Sequence, residues 1–351
     1  MMIATLAALA AGRRANANDA ALPVVSRDRV LQFPLDHGAH LAARIEWWYV
    51  TGWWGPMAAP THGFQVTFFR SRTGLAADSR SAFAPRQLLF AHAALTDLRA
   101  GTHRHAERIA RWNGDPAAPV AAAALDDARV HIGDWRLARE GQTWVARLED
   151  RSQDLLLALT LRRTQPLLLQ GEAGWSRKGP ALAQASHYVS EPQLAVARDG
   201  GGGAWLDQEW SDEILHPEAV GWDWAGINLA DGSALTVFRL RRADGSTLWA
   251  GGSWRPAGGA VRAFAPQEVT LRPGRLWTSG RTGGRYPVQW TLDTPAGRHT
   301  LHALLDAQEL DARASTGTVY WEGLSELRDA QDRRIGLGYL EMTGYAGRLR
   351  L

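Results

Sequence analysis

The chain has 351 residues, of which 45% are hydrophobic and 21% charged, the balance of an ordinary globular protein; 36 glycines and 16 prolines make it rich in turns. It contains no cysteine, which excludes disulfide frameworks, thiolate metal sites and cysteine nucleophiles. Thirty-nine basic residues against 36 acidic ones leave a net charge of +3, and Lys178 is the sole lysine, so the pI of about 9.6 reflects arginine spread along the chain. Without a basic tract, no nucleic-acid partner is expected.

In chain order, Met1 to Gly12 is apolar and has the length of a signal-peptide core, and Ala15-Asn16-Ala17 fits a small-x-small cleavage site. Residues 1–17 therefore read as a signal-peptide-like segment, cut after Ala17, and residues 18–30 as a flexible leader. Export to the bacterial periplasm, or secretion, follows from that reading. No later stretch reaches 18 apolar residues, so no membrane span is expected.

From residue 31 the pattern is short and mostly of period two. Glu46 to Thr51, Gly63 to Phe69, Leu155 to Leu161, Ala234 to Arg239 and Tyr286 to Leu292 are rich in aromatic and β-branched residues and predict strands. Turn signals separate them, among them Asp231-Gly232, Asp244-Gly245 and Pro273-Gly274. Ala117 to Asp127 is the one weakly helical window. Many short strands without intervening helices predict an all-β protein of antiparallel sandwich or barrel type. An internal echo points to two similar halves: Trp47-Trp48-Tyr49 precedes a strand ending Phe69-Arg70, and Trp222-Asp223-Trp224 precedes one ending Phe238-Arg239. Trp205 to Trp210 reads as a strand completing the first half, which places the boundary near residue 212 and the domains at 31–211 and 212–351.

None of the common nucleotide, hydrolase or zinc motifs is present, and no cofactor is implied. His37-x-x-His40 and His103-x-His105 are the close histidine pairs, and loop hydrogen bonding explains them more simply than a metal. The informative feature is the neighbourhood of acids and large aromatics, in a chain with 17 tryptophans. Along a strand, residues i and i+2 share a face. Trp205, Asp207 and Glu209 would line one face, and so would Glu46 and Trp48. On a face turned into a barrel, desolvation and mutual repulsion would raise a carboxyl pKa, leaving an acid able to donate a proton, with aromatic rings to stabilise a carbocation. The competing expectation is a buried arginine–carboxylate bridge, weighted most heavily for Glu322 and Glu341; Asp223 is expected to be solvated.

Phe33-Pro-Leu-Asp-His-Gly38, Glu46-Trp-Trp-Tyr49, Gly63-Phe-Gln-Val-Thr-Phe-Phe-Arg70, Trp205-Leu-Asp-Gln-Glu-Trp210, Gly221-Trp-Asp-Trp224, Tyr320-Trp-Glu-Gly323 and Gly338-Tyr-Leu-Glu341 resemble, in order, the AttH/carotenoid 1,2-hydratase family of lipocalin-like bacterial proteins. The resemblance implies two lipocalin-like β-barrel domains packed together, an apolar ligand site, and, in the AttH branch, association with an ABC-transporter component. In the hydratase branch the position of Asp207 is the proton donor. That branch resembles Asp-His-Asn-Trp where this chain has Asp207-Gln208-Glu209-Trp210, and the proline expected after His40 is Leu41, so the resemblance favours AttH.

Three readings follow. The first is a periplasmic protein that binds an apolar, isoprenoid- or lipid-like small molecule. The second is a hydratase-like lyase or cyclase, a hydro-lyase if an enzyme, with Asp207 and Glu209 as its catalytic acids. In either, Glu46, Trp48, Tyr49, Gln65, His187, Tyr188, Trp205, Trp210 and Trp224 are the candidate ligand-binding residues. The third is a carbohydrate-active protein, since paired carboxylates beside tryptophans also describe glycosidases.

Overall fold

Alternating burial in the chain sorts the strands into two kinds. Leu155–Arg162 buries Leu155, Leu157, Leu159 and Leu161 and exposes the residues between them, so one face meets a core and the other water. Gly202–Ser211, beyond its first two residues, and Ala234–Arg241 throughout are buried on both faces. A strand of the second kind must have packed layers on either side, and those strands form the centre of the molecule.

The computed structural model describes residues 25–349 except 76, 77, 80, 82 and 214. The signal-like segment and most of the leader lie outside the described residues. The architecture is all-β, with two antiparallel sheets packed against each other and a short two-stranded ribbon. The first sheet has 13 strands. It runs from Thr102–Trp112 through Gln87–Asp97, His62–Arg72, Ile45–Trp54, Gly202–Ser211 and Ala185–Val196 to Leu155–Arg162, and ends at Ala121–Ala123. Its two ends meet where Thr102–Trp112 approaches Ala121–Ala123, which nearly closes it into a barrel. The second sheet has ten strands and is centred on Ala234–Arg241, Gly221–Leu229, Arg334–Thr343 and Thr318–Arg328. The chain leaves the first sheet at Ser211 and enters the second at Gly221.

Each sheet wraps its own core. Trp48, Phe64, Trp135, Trp144 and Leu206 fill the first, and Trp290, Trp321, Leu340 and Met342 the second. A third cluster joins them, with Trp53 and Trp205 from one sheet meeting Trp224, Leu324 and Tyr339 from the other. Glycines let the sheets approach at this seam. A Cβ on Gly63 would lie 2.7 Å from the Tyr339 hydroxyl and 2.9 Å from Leu324 Cβ, and one on Gly226 would lie 3.1 Å from the Trp205 ring.

Two sequence expectations are corrected. The helical window at 117–127 contains the strand Ala121–Ala123, because its alanines pack as a strand against the neighbouring Arg129–Ile132. The stretch Tyr286 to Leu292 divides at Val288: Arg285–Pro287 pairs with Leu276–Thr278 in the ribbon, and Gln289–Thr294 joins the second sheet.

The two halves share a buried ion pair on the inner face. Glu46 and Arg70 are cross-strand partners, fully buried, with Arg70 Nε 3.1 Å from Glu46 Oε2. Arg70 also donates to Gln87 and to the carbonyls of His40 and Ala43. Asp223 and Arg239 are likewise cross-strand partners, with Arg239 Nε 2.7 Å from Asp223 Oδ2, and the Tyr345 hydroxyl donates to the other carboxylate oxygen. Asp223 is therefore not solvated: the face opposite Trp222 and Trp224 is the interior of the second barrel.

Removing one member of a buried pair strands the other charge in low dielectric. Arg70→Ala is expected to cost about 3–5 kcal/mol, and Glu46→Gln, which keeps hydrogen-bonding atoms, less. Urea unfolding of the two variants measures both.

Candidate functional site

Between the sheets, on the faces turned away from the two cores, lies a cavity of about 260 Å³. Because pairing fixes which residues are opposite, its walls can be read from the register. Trp47 lies opposite Glu209 and Tyr49 opposite Asp207, while on the next strand Ser190 lies opposite Asp207 and Tyr188 opposite Glu209. Directly opposed residues share a face. These side chains therefore project together into the gap, where Trp222, Trp224, Phe238, Tyr320, Glu322 and Glu341 meet them from the second sheet.

Asp207 is 2% exposed and fixed by three donors. Ser190 Oγ at 2.5 Å and Trp205 Nε1 at 2.7 Å both bond Oδ1, and the Tyr188 hydroxyl bonds Oδ2 at 2.7 Å. Trp224 Nε1 in turn donates to the Tyr188 oxygen at 3.1 Å, which fixes that hydroxyl as a donor to Asp207. A carboxylate oxygen accepts two bonds in its plane. Oδ1 is thus filled, and Oδ2 keeps one open position for a proton. Burial pushes the Asp207 pKa up to about 7 against the pull of those three bonds, with the Glu209 charge adding to the rise. The acid is half protonated near neutrality.

Beside it, Glu209 is paired with the chain's one lysine, Lys178 Nζ to Oε1 at 2.9 Å, and also accepts from Ser186. The Lys178 ammonium lies 4.4 Å from the ring centres of both Tyr188 and Phe238, held by cation–π contact as well as by charge. Across the cavity, Glu322 and Glu341 are cross-strand partners. Both are pushed above the usual carboxylate range, chiefly by burial, with the Glu341 charge adding to the rise at Glu322. His92 lines the wall as a neutral ring, its pKa lowered by burial to about 3, and hydrogen-bonds the Tyr320 hydroxyl at 2.7 Å.

Of the site residues expected from sequence, Asp207, Glu209, Tyr49, Tyr188 and Trp224 line this cavity. Trp205 stands behind it, bonded to Asp207. Gln65 lies one pair further along the same face and bonds Thr67, which lines the wall. Glu46, Trp48, His187 and Trp210 do not line it. Glu46 and Trp48 point into the first barrel, because Glu46 pairs with Trp210 and Trp48 with Gln208, one residue out of phase with Asp207. There Glu46 bonds His40 and Arg70, and His187 and Trp210 pack on each other with rings 5.3 Å apart. Burial opposes charge on His40, but Glu46 and Asp36 outweigh it and hold the imidazole above its ordinary range. The arginine bridges expected at Glu322 and Glu341 do not form; both acids face the cavity.

Sequence reasoning missed Trp47, Lys178, Trp222 and Tyr320. Trp47 and Trp222 were findable, since each sits two residues from an aromatic placed on the correct face. The solitary lysine in an arginine-rich chain was a signal for Lys178. Among the described residues, no group of three or more His, Asp or Glu is placed to hold a metal ion. A second hollow of about 360 Å³, bounded by Arg44, Asp212, Glu213, His216 and Arg348, shares Ile45, Ser71 and Leu349 with the cavity and adjoins it.

The fold and the cavity define a lipocalin-like protein of two packed β units. A family profile described as AttH-like matches residues 24–345, and the chain belongs to that family. A crystal structure described as an AttH from Nitrosomonas europaea is 44% identical, covers 92% of this chain and 99% of its own, and superposes with a TM-score of 0.82. Kievitone hydratase from Nectria haematococca shares the fold at 12% identity, with a TM-score of 0.64 over 93% of this chain and 96% of its own. Comparison with curated proteins finds no match.

The raised Asp207 pKa has a stability consequence. A carboxyl whose folded pKa of about 7 exceeds its ordinary 3.8 supports the fold fully below about pH 4. That contribution is lost as pH rises through 7. Asp207→Asn removes this dependence, so the variant should gain on the wild type by on the order of 3 kcal/mol between pH 5 and pH 8. Urea unfolding of both proteins at the two pH values gives the difference, in which titrating groups remote from Asp207 cancel and Glu341, whose carboxyl feels the Asp207 charge, contributes a smaller part.

Proposed function

We propose that the inter-sheet cavity binds a small molecule with an apolar body and that Asp207 exchanges a proton with it, as in a hydro-lyase that adds water across a carbon–carbon double bond. The observation that carries this is a buried carboxyl, poised near pH 7, that lines an aromatic-walled cavity and keeps one oxygen position free of its three donors. In such a reaction Asp207 Oδ2 gives its proton to one alkene carbon. The faces of Trp47, Tyr49 and Trp224 stabilise the cation left on the other carbon, water adds there, and the proton that water sheds restores Asp207. Tyr188, Ser190 and Trp205 hold the carboxyl in place and balance its anionic form between the two steps. Glu209 is not free to act as a second acid while Lys178 holds it.

A carrier without chemistry needs the same cavity and differs only in turnover. A carbohydrate-active protein has less to support it, because sugar chains need an open polar groove, whereas this cavity lies between two sheets with aromatic walls. Export through the N-terminal apolar run and delivery to a transporter component remain part of the proposal. Export is supported by the small-x-small site at 15–17, and the transporter by the family resemblance alone; protein recovered from its own cells should begin at Asn18 by N-terminal sequencing.

Turnover and binding separate in one variant. With a panel of isoprenoid alkenes, the wild type should bind, quench tryptophan fluorescence and hydrate one member. Asp207→Asn should retain binding within a few-fold and lose hydration by about 10²–10⁴-fold. Binding without hydration in the wild type would establish the carrier, and hydration unchanged in the variant would remove Asp207 from the mechanism.

A further inference from the structure

The cavity holds more acid than it can balance. Lys178 neutralises Glu209, and Arg70, though it reaches the wall, is committed to Glu46 behind it. Among the described residues, no lysine, arginine or histidine lies within ion-pair distance of Asp207, Glu322 or Glu341. Asp207 is compensated by three hydrogen bonds. Glu322 and Glu341, opposed across neighbouring strands on the cavity face, have only one neutral neighbour each, the Tyr49 hydroxyl beside Glu322 and the Trp222 indole beside Glu341.

A second observation falls at the same place. Glu322 Oε1 and the Tyr49 hydroxyl, although neighbours, have no hydrogen-bond partner of ordinary geometry among the described residues, and the two side chains are only 2% and 7% exposed. Buried polar atoms are normally satisfied, so two that are orphaned on one cavity wall mark where a ligand's polar group belongs. Trp47, Trp222, Trp224 and Tyr320 line the same cavity. Aromatic faces beside carboxyl groups suit an ammonium: its N–H groups bond the carboxylates and its charge lies against the π-clouds. A carboxylate head would add a further acid to a wall without a free cation, and a hydroxyl head would bring no charge to favour the ionised carboxyls over the protonated ones.

We propose that the cavity takes a ligand with an apolar body and an ammonium head, seated between Glu322, Glu341 and the Tyr49 hydroxyl. The inference rests on the cavity being a small-molecule site and adds the chemical class of what enters it.

The seat is faced by titratable groups on every side. Asp207 and Glu209 come from Gly202–Ser211, Lys178 and Tyr188 from the chain beside it, His92 from Gln87–Asp97, and Tyr320 and Tyr339 from the second sheet, with Asp223 beyond Glu341. His92 is neutral, and burial holds Tyr49, Tyr188, Tyr320 and Tyr339 above the usual phenol range. The groups that change charge between pH 5.5 and 8 are therefore carboxyls. A cation that binds them displaces their protons, so its affinity rises with pH over that interval.

The test uses three naphthalenes that differ in the head: 2-(1-naphthyl)ethylamine, 2-(1-naphthyl)ethanol and 1-naphthylacetate, titrated calorimetrically into the full chain at pH 5.5 and 8. The amine stays protonated at both. It should bind roughly tenfold or more tighter than the alcohol at pH 8, with 1-naphthylacetate weakest, and the advantage should shrink at pH 5.5. Glu322→Gln and Glu341→Gln should each reduce the amine's advantage and leave alcohol affinity unchanged, which also shows that the variants fold. An amine no tighter than the alcohol at pH 8, or an advantage that survives in the double variant, overturns the ammonium seat while leaving the cavity as a binding site. Failure of all three to bind overturns both the seat and the small-molecule reading.

Discussion

The architecture depends on a cross-strand carboxylate–arginine pair made once in each half, Glu46 with Arg70 and Asp223 with Arg239. Because successive side chains of a strand alternate between faces, an acid locked inward by its arginine sends its neighbours outward. Trp47 and Trp222, each adjacent to such an acid, are thereby committed to the gap between the sheets. A slip of one residue would put a charge in that gap and an indole on the ion pair, so the pairs act on register as much as on stability. The internal echo in the sequence is the trace of this device, a tryptophan cluster followed by a strand closing in Phe-Arg, with the arginine returning to the acid of the preceding strand.

Much of this was legible in the sequence. Strand patterning marked Ile45–Trp54, His62–Arg72, Gly202–Ser211 and Ala234–Arg241 among the strands that build the cavity, and the clustering of acids with aromatics drew attention to Asp207, Glu209, Tyr188 and Trp224. What could not be read was which barrier each face addressed. Glu46 and Asp207 sit on adjacent strands and look alike in their surroundings, yet they point to opposite sides of one sheet because the pairing sets Tyr49, not Trp48, across from Asp207. Register between Ile45–Trp54 and Gly202–Ser211, so far apart in the chain, is a tertiary fact. For the same reason the sequence suggests a solvated Asp223, whereas the core of the second sheet covers its face. The partners of Glu322 and Glu341 were misjudged because abundance of arginine in a chain says nothing about where the guanidinium groups lie.

Within the cavity wall, charge is handled in three ways. Glu209 has a cation, Asp207 has three neutral donors that leave one position of Oδ2 open, and the Glu322–Glu341 pair has one neutral neighbour for each acid and no cation. Low dielectric makes these differences large, since an anion without compensation takes up a proton instead. One chamber thus holds a stable ion pair, an acid balanced near neutrality, and a pair that favours sharing a proton. The same wall therefore places three protonation behaviours side by side, which is what the proposed proton exchange at Asp207 would draw on.

Leu349 stands on the rim between the chamber and the adjoining polar hollow, and its amide is bonded to the carbonyl of Val220 at 2.9 Å. Val220 belongs to the crossover that joins the two sheets, so the threshold is anchored to backbone that takes no part in the aromatic lining. For the small molecule proposed above, a route in through this hollow would make entry and exit depend on groups other than those that hold it. Substitutions at Leu349 would then alter residence time more than equilibrium occupancy.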